Sequence, residues 1–208
     1  MRGKPLINSF SSKLYIGRII YPTTMLESKK ICVIAITVAL CIGSNYALVS
    51  IPNFKAMDFF VFISGFIFGS FVGASVGLLS WAIYGVINPY GFLLPIWLAT
   101  MFSETIYGFA GGFLGKNAAS TNFNANRLRL GVFFGATGFF LTLAYDLITN
   151  VVWAWVSNMP LVAVLIIGVP FALVHELSNT VLFGVCSIPL ITGIEKFIGG
   201  ERFGVFKK

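Results

Sequence analysis

The sequence predicts an all-α integral membrane protein of six transmembrane helices with both termini in the cytoplasm. Three observations predict it. Residues 59–103 are 45 consecutive positions without a charge, and from Leu130 to Ile194 the only ionisable side chains besides Tyr145 are Asp146, His175, Glu176 and Cys186. Hydrophobic residues make up 57% of the 208 and the mean hydropathy is +0.90, against roughly 45–50% apolar in soluble domains. Thirteen of the fourteen Lys and Arg residues also fall on one side of a membrane if the chain crosses six times.

A span needs about 20 apolar residues at about 1.5 Å per residue. Ile31 to Val49 meets this directly after Lys29 and Lys30. Asp58 to Ile87 does not fit one crossing, because 30 residues would reach about 45 Å across a core of about 30 Å. The spacing instead predicts two helices turning near Gly69–Gly73. Phe92 to Leu114 follows, ended by Gly115 and Lys116; then Leu130 to about Trp153, after Arg127 and Arg129; then Leu161 to about Ile191, with Pro170 inside it and Pro189 near its end. Charge decides for the hairpin. Two crossings bring Arg2, Lys4, Lys13, Arg18, Lys29 and Lys30 to the same side as Lys116, Arg127, Arg129 and the tail (Lys196, Arg202, Lys207, Lys208), leaving Lys55 opposite. Short cytoplasmic loops carry excess Lys and Arg, so that side is assigned to the cytoplasm of a prokaryotic-type plasma membrane.

This gives a cytoplasmic or interfacial segment at 1–28, a membrane domain at 29–195 and a basic tail at 196–208. Residues 14–21 have the pattern of a stretch lying along the headgroups. The net charge of +7 is an orientation signal with attraction to anionic lipid. A nucleic-acid partner is excluded, because no folded domain carries a clustered basic surface. Cys32, Cys41 and Cys186 lie in apolar spans without metal or disulfide spacing and are expected as small core residues.

Small residues repeat every four positions: Gly65, Gly69, Gly73 and Gly77; Gly108 and Gly112; Gly131 and Gly135; and Ala35, Ala39 and Gly43. In lipid such spacing serves close helix packing. For the first-span stripe two uses stay open, internal packing or docking of another membrane subunit.

An ionisable group in hydrocarbon costs at least about 2.5–3.5 kcal/mol at a helix centre. Glu104, Asp146, His175 and Glu176 all lie at that depth, and no Lys or Arg is expected there. The acids are therefore expected to lack internal salt bridges. Asp146, Asn150 and Trp153 share one helix face, as do His175 and Asn179, and Trp97, Thr100, Glu104 and Tyr107. Aromatic walls with a few convergent polar groups suit a small planar ligand. Uncompensated acids would favour one with donors or positive charge. Competing structural uses are an aromatic belt for Tyr46, Tyr84, Tyr90 and Trp155, a helix cap for Asp58, and cross-bundle satisfaction for His175 and Glu176. Enzyme motifs are missing. His175-Glu-Leu-Ser-Asn179 stops one residue short of a zinc-binding H-E-x-x-H, and the chain holds one His. Neither catalysis nor a cofactor is expected.

The chain resembles the substrate-binding (S) component of energy-coupling factor (ECF) vitamin transporters. Length and six spans are similar, as are Ala35-x-x-x-Ala39, the outer turn Ile51-Pro-Asn53 with Phe66-Ile-Phe-Gly69-x-x-x-Gly73-x-x-x-Gly77, and Thr149-Asn150 in the fifth span. The resemblance covers about residues 29–195. It implies capture of a thiamine-like or riboflavin-like molecule from outside, with transport driven by a transmembrane T component and two cytoplasmic ATPases. It implies a binding site at Trp97, Glu104, Asp146, Asn150, Trp153, His175 and Asn179, a lid at Asn53 and Lys55, and docking through Ala35, Ala39 and Gly43. Two rival classes remain: a stand-alone proton-coupled carrier using Glu104, Asp146 and Glu176, and a non-transporting scaffold.

Overall fold

The computed structural model describes residues 27–89, 91–118 and 127–198. The expected interfacial stretch at 14–21 and the tail beyond 198 lie outside them. Six helices follow one another: α1 (Glu27–Ala47), α2 (Met57–Phe68), α3 (Ser70–Ile87), α4 (Leu94–Ala118), α5 (Arg127–Ser157) and α6 (Leu161–Ile198). Among the described residues, α1, α3, α5 and α6 are long and apolar enough to cross a membrane by length and composition. At 12 residues, α2 reaches about 18 Å, too short to cross alone. The protein is an all-α membrane protein.

The predicted hairpin is present, and Gly69 makes it. Its φ of +102° is open to glycine, while Gly69 N–H still donates to Gly65 O at 2.8 Å and closes the last turn of α2. The chain then folds straight back. Gly73 lies against Gly65, so close that a Cβ on Gly73 would sit 2.5 Å from the Gly65 Cα. Gly77 faces Val61 in the same register, so α2 and α3 run antiparallel. Into this pair packs α4. A Cβ on Gly77 would stand 2.9 Å from Glu104 O, Gly108 abuts Gly73, and Gly112 abuts Ser70, so α4 runs antiparallel to α3. Gly111 meets Phe62 and Gly115 meets Phe66, so α4 runs parallel to α2. The glycines that recur every four residues are where three backbones touch.

That register sets depth. Asp58 comes level with the middle of α4, near Tyr107. The second helix therefore starts about halfway down the bundle, and residues 48–56 descend to it from the end of α1. Cys41 faces Met57, with the thiol 3.9 Å from Met57 O. On the other side, α5 and α6 pair antiparallel through Gly131 against Gly184 and Gly138 against Phe183. The core between the two groups is aromatic: Phe183 touches Phe59, Phe62 and Tyr107, and Phe62 touches Phe134.

The helices alternate in direction, so Lys116, Arg127 and Lys196 share one end and Lys55 lies toward the other. At 31 and 38 residues, α5 and α6 extend beyond the expected spans, about 46 and 57 Å against a core of about 30 Å. α6 passes through Pro170 and Pro189 as one helix. Two smaller expectations change. Cys32 is exposed on the outer face of α1 rather than in the core. Ala35, Ala39 and Gly43 also face outward, and a Cβ on Gly43 would meet nothing within 4 Å, so no described residue packs on this stripe.

Candidate functional site

Half-way down the bundle the polar side chains of five helices meet. His175 on α6 is fully buried and touches two acids: its Nε2 is 2.6 Å from Asp58 Oδ2 and its Nδ1 is 2.9 Å from Asp146 Oδ1. As an imidazolium it donates from both nitrogens. Asn179, one turn further along α6, donates from Nδ2 to Asp58 Oδ2 at 2.7 Å and to Thr142 Oγ1 at 2.8 Å. Tyr107 of α4 donates its hydroxyl to the same Thr142 Oγ1 at 3.0 Å. Glu104, also fully buried, accepts from Trp81 Nε1 at 3.0 Å and lies within interaction range of Asp58.

This layer corrects the expectation that no basic side chain accompanies the acids at their depth. Asp58 and Asp146 share His175. A cation arrives from the loop: Lys55 Nζ lies 5.2 Å from the Trp81 ring centroid and 5.1 Å from that of Tyr145, and its charge reaches Asp58 and Glu104. The spans supply no Lys or Arg, yet the descending loop carries one to their depth. Asp58 is not a helix cap either. The N-cap of α2 is Ala56, without a side-chain hydrogen bond, and Asp58 is fully buried in the polar layer.

Above the layer, toward the Lys55 end, opens a cavity of about 620 Å³. Its walls include Phe54, Trp81, Tyr84, Phe92, Trp97 and Trp153, with the amides of Asn45, Asn53 and Asn88 among them. Among the described lining residues Lys55 is cationic and none is acidic. Trp97 Nε1 donates to the backbone carbonyl of Trp81 at 3.0 Å, which ties the Trp97 indole to α3. Tyr84 is buried in this wall, edge-on to Trp81 at 5.5 Å and to Tyr46 at 5.6 Å, instead of standing in an interfacial belt. Trp155 does face outward.

Residues 48–56 close one side of the cavity. Asn53 takes a left-handed conformation (φ 58°), which asparagine tolerates. Its Nδ2 donates to Phe171 O of α6 at 2.9 Å, across 118 residues of chain. The loop is thus tied to α6 by Asn53 and to the aromatic and acid groups by Lys55.

The residues singled out from the sequence fall into three places. Trp97, Trp153, Asn53 and Lys55 line the cavity. Glu104, Asp146, His175 and Asn179 form the buried layer beneath it. Asn150 donates to Asp146 O at 2.7 Å and packs against Gly168 of α6. Sequence reasoning passed over Trp81, Thr142 and Tyr145 and placed Tyr107 only on the helix face of Glu104; all four join cavity and layer. The three-residue step from Thr142 to Tyr145, and on to Thr149-Asn150, carried a helical-face signal that could have found two of them. Among the described residues no group of three or more His, Cys, Asp or Glu is placed to hold a metal ion.

The family model that matches the chain is described as the ECF-type riboflavin transporter, S component, and it matches residues 25–196. None of the curated proteins and none of the solved structures compared with the chain matches it.

Proposed function

Because the chain belongs to the ECF-type riboflavin transporter S component family, and so is a substrate-binding vitamin-transport subunit rather than an enzyme, we propose that its cavity takes riboflavin itself. The carrying observation is the composition of the cavity wall. Seven aromatic side chains, three amides and one ammonium suit a flat, uncharged ring system edged with carbonyls and an N–H, with a polyhydroxylated tail for the amides. A volume of about 620 Å³ is ample for such a molecule, within the usual range of about 300–1,000 Å³. A thiamine-like ligand fits this wall poorly. Its thiazolium charge would meet Lys55, and the acids that would favour a cation stand outside the lining, engaged by His175 and Trp81.

In this reading the bound ligand rests on Trp81 and Trp97 under the 48–56 loop, and the acid–histidine layer holds the floor rigid. The Lys55 end faces the outside of the plasma membrane and the Lys116, Arg127 and Lys196 end faces the cytoplasm, which follows the distribution of basic residues. Release requires a T component and two ATPases, docked on the exposed Ala35, Ala39 and Gly43 face. A self-sufficient proton carrier is less well supported, since two of the acids it would use, Glu104 and Asp146, are held by Trp81 and His175.

Titrating the purified protein with riboflavin tests the proposal. Stacking on Trp81 and Trp97 quenches flavin and tryptophan fluorescence together, saturably, with one ligand per chain. Thiamine in large excess should leave the signal unchanged. Displacement of riboflavin by thiamine, or no saturable quenching, would refute the assignment.

A further inference from the structure

A furrow runs down the outer surface of the α5–α6 pair at the basic end. Its floor is made of the smallest side chains of both helices, Gly131, Gly135 and Ala136 on α5 with Gly184 on α6, and it encloses about 840 Å³. Exposed apolar residues flank it: Leu128, Val132 and Val185. It stops at Phe139 and Phe140, about one turn short of Thr142 in the polar layer. From Arg127 to Phe140 the distance along α5 is about 20 Å. That is one leaflet of a core of about 30 Å, plus its interfacial edge.

The open end of the furrow differs from its length. A second cavity of about 270 Å³ continues it, sharing Arg127, Ile188 and Pro189 and adding Thr192 and Lys196. Two cations from two helices thus flank the mouth of an apolar channel at headgroup height, and both are exposed. The furrow has the length and lining for one acyl chain, and its mouth has the charge for one phosphate. A zwitterionic lipid brings the same phosphate but sets its own cation against Arg127 and Lys196, so the mouth favours a headgroup of net negative charge.

From this geometry we infer that the α5–α6 furrow is a binding site for an anionic phospholipid, with an acyl chain against Gly131, Gly135 and Gly184 and the phosphate at Arg127 and Lys196. The site is separate from the cavity at the other end and does not depend on what that cavity binds. Attraction of the phosphate draws on the charges of the Arg127 guanidinium and the Lys196 ammonium.

The test uses the purified full chain, delipidated and reloaded from micelles holding equal amounts of dioleoyl-phosphatidylglycerol and dioleoyl-phosphatidylcholine, with bound lipid counted by native mass spectrometry. Two cations at the headgroup should favour the anionic lipid by about tenfold or more. Arg127→Gln with Lys196→Gln should bring the ratio close to one. Ala136→Phe, which fills the furrow from its exposed side without entering the α5–α6 contact, should lower the occupancy of both lipids. Circular dichroism and flavin quenching serve as folding controls for both variants. A wild-type ratio near one, a ratio unmoved by the double substitution, or full occupancy in Ala136→Phe would each overturn the inference. So would loss of T-component binding, or of a dimer, in Ala136→Phe with lipid retention unchanged, because the furrow would then be a protein contact.

Discussion

His175 and Asp58 are 117 residues apart in the chain and 2.6 Å apart in the bundle. The contact joins the first turn of the short α2 to the middle of α6, and Asp146 on the opposite side of the ring adds α5. One side chain therefore couples the foot of the descending loop to the two longest helices.

Removing that side chain is expected to be severe. His175→Ala leaves Asp58 and Asp146 buried without their shared partner, and breaking a buried pair in this way costs about 3–5 kcal/mol. The variant should insert into the membrane but unfold at much lower temperature in detergent, as followed by size-exclusion chromatography after heating. Asp58→Asn, which keeps shape and one acceptor, should lose less. Equal melting of His175→Ala and wild type would mean the layer does not hold the fold.

Glycine substitutions should divide sharply by position. At Gly108 a Cβ would run into the backbone of Gly73 and Ala74. Gly108→Ala must therefore push α4 off the hairpin, at about 1–3 kcal/mol or more. Gly43→Ala meets nothing within 4 Å and gains helix propensity, so it should be neutral or slightly stabilising. Thermal stability of the two variants, measured side by side, checks the register on which every depth assignment rests.

Lys55→Met keeps the stem and removes the ammonium from Trp81 and Tyr145. A desolvated cation–ring contact is worth about 2 kcal/mol, and Lys55 also faces the acids below. The loop should be held less firmly, and riboflavin should leave about tenfold faster in stopped-flow quenching. An unchanged dissociation rate would show that the Asn53 hydrogen bond alone holds the loop.

Ala35→Leu places a large side chain on an exposed, small-residue face of α1 that nothing within the described chain covers. Flavin binding by the isolated protein should be unchanged. Co-purification with a T component and its ATPases should fall several-fold. Full recovery of the complex would move the docking face elsewhere.

Much of the fold was legible because it follows from two simple constraints, the thickness of the apolar core and the side on which basic residues collect. The hairpin was legible because the glycines at 65, 69, 73 and 77 keep one period across a stretch too long for one crossing. The site was harder for identifiable reasons. Asp58 follows a turn and opens a helix, which is where caps stand, and nothing local reveals that its helix begins at mid-depth. Lys55 looked external because a loop was assumed to stay at the surface. Trp81 carries no signal of its own until the register brings it, with Tyr145, beneath one ammonium. Conversely, Glu104, Asp146 and His175 were conspicuous by depth, but depth alone cannot separate the lining of a cavity from the layer that supports it.

Since Lys55 belongs to the same short segment as Asn53, lifting that segment would do two things at once. It would unroof the aromatic chamber, and it would withdraw the positive charge that faces Glu104 and Asp58, letting water reach them. Entry of cargo and hydration of the protein's interior would then be a single event, so a leak of solvent toward the centre of the membrane should accompany every exchange of vitamin.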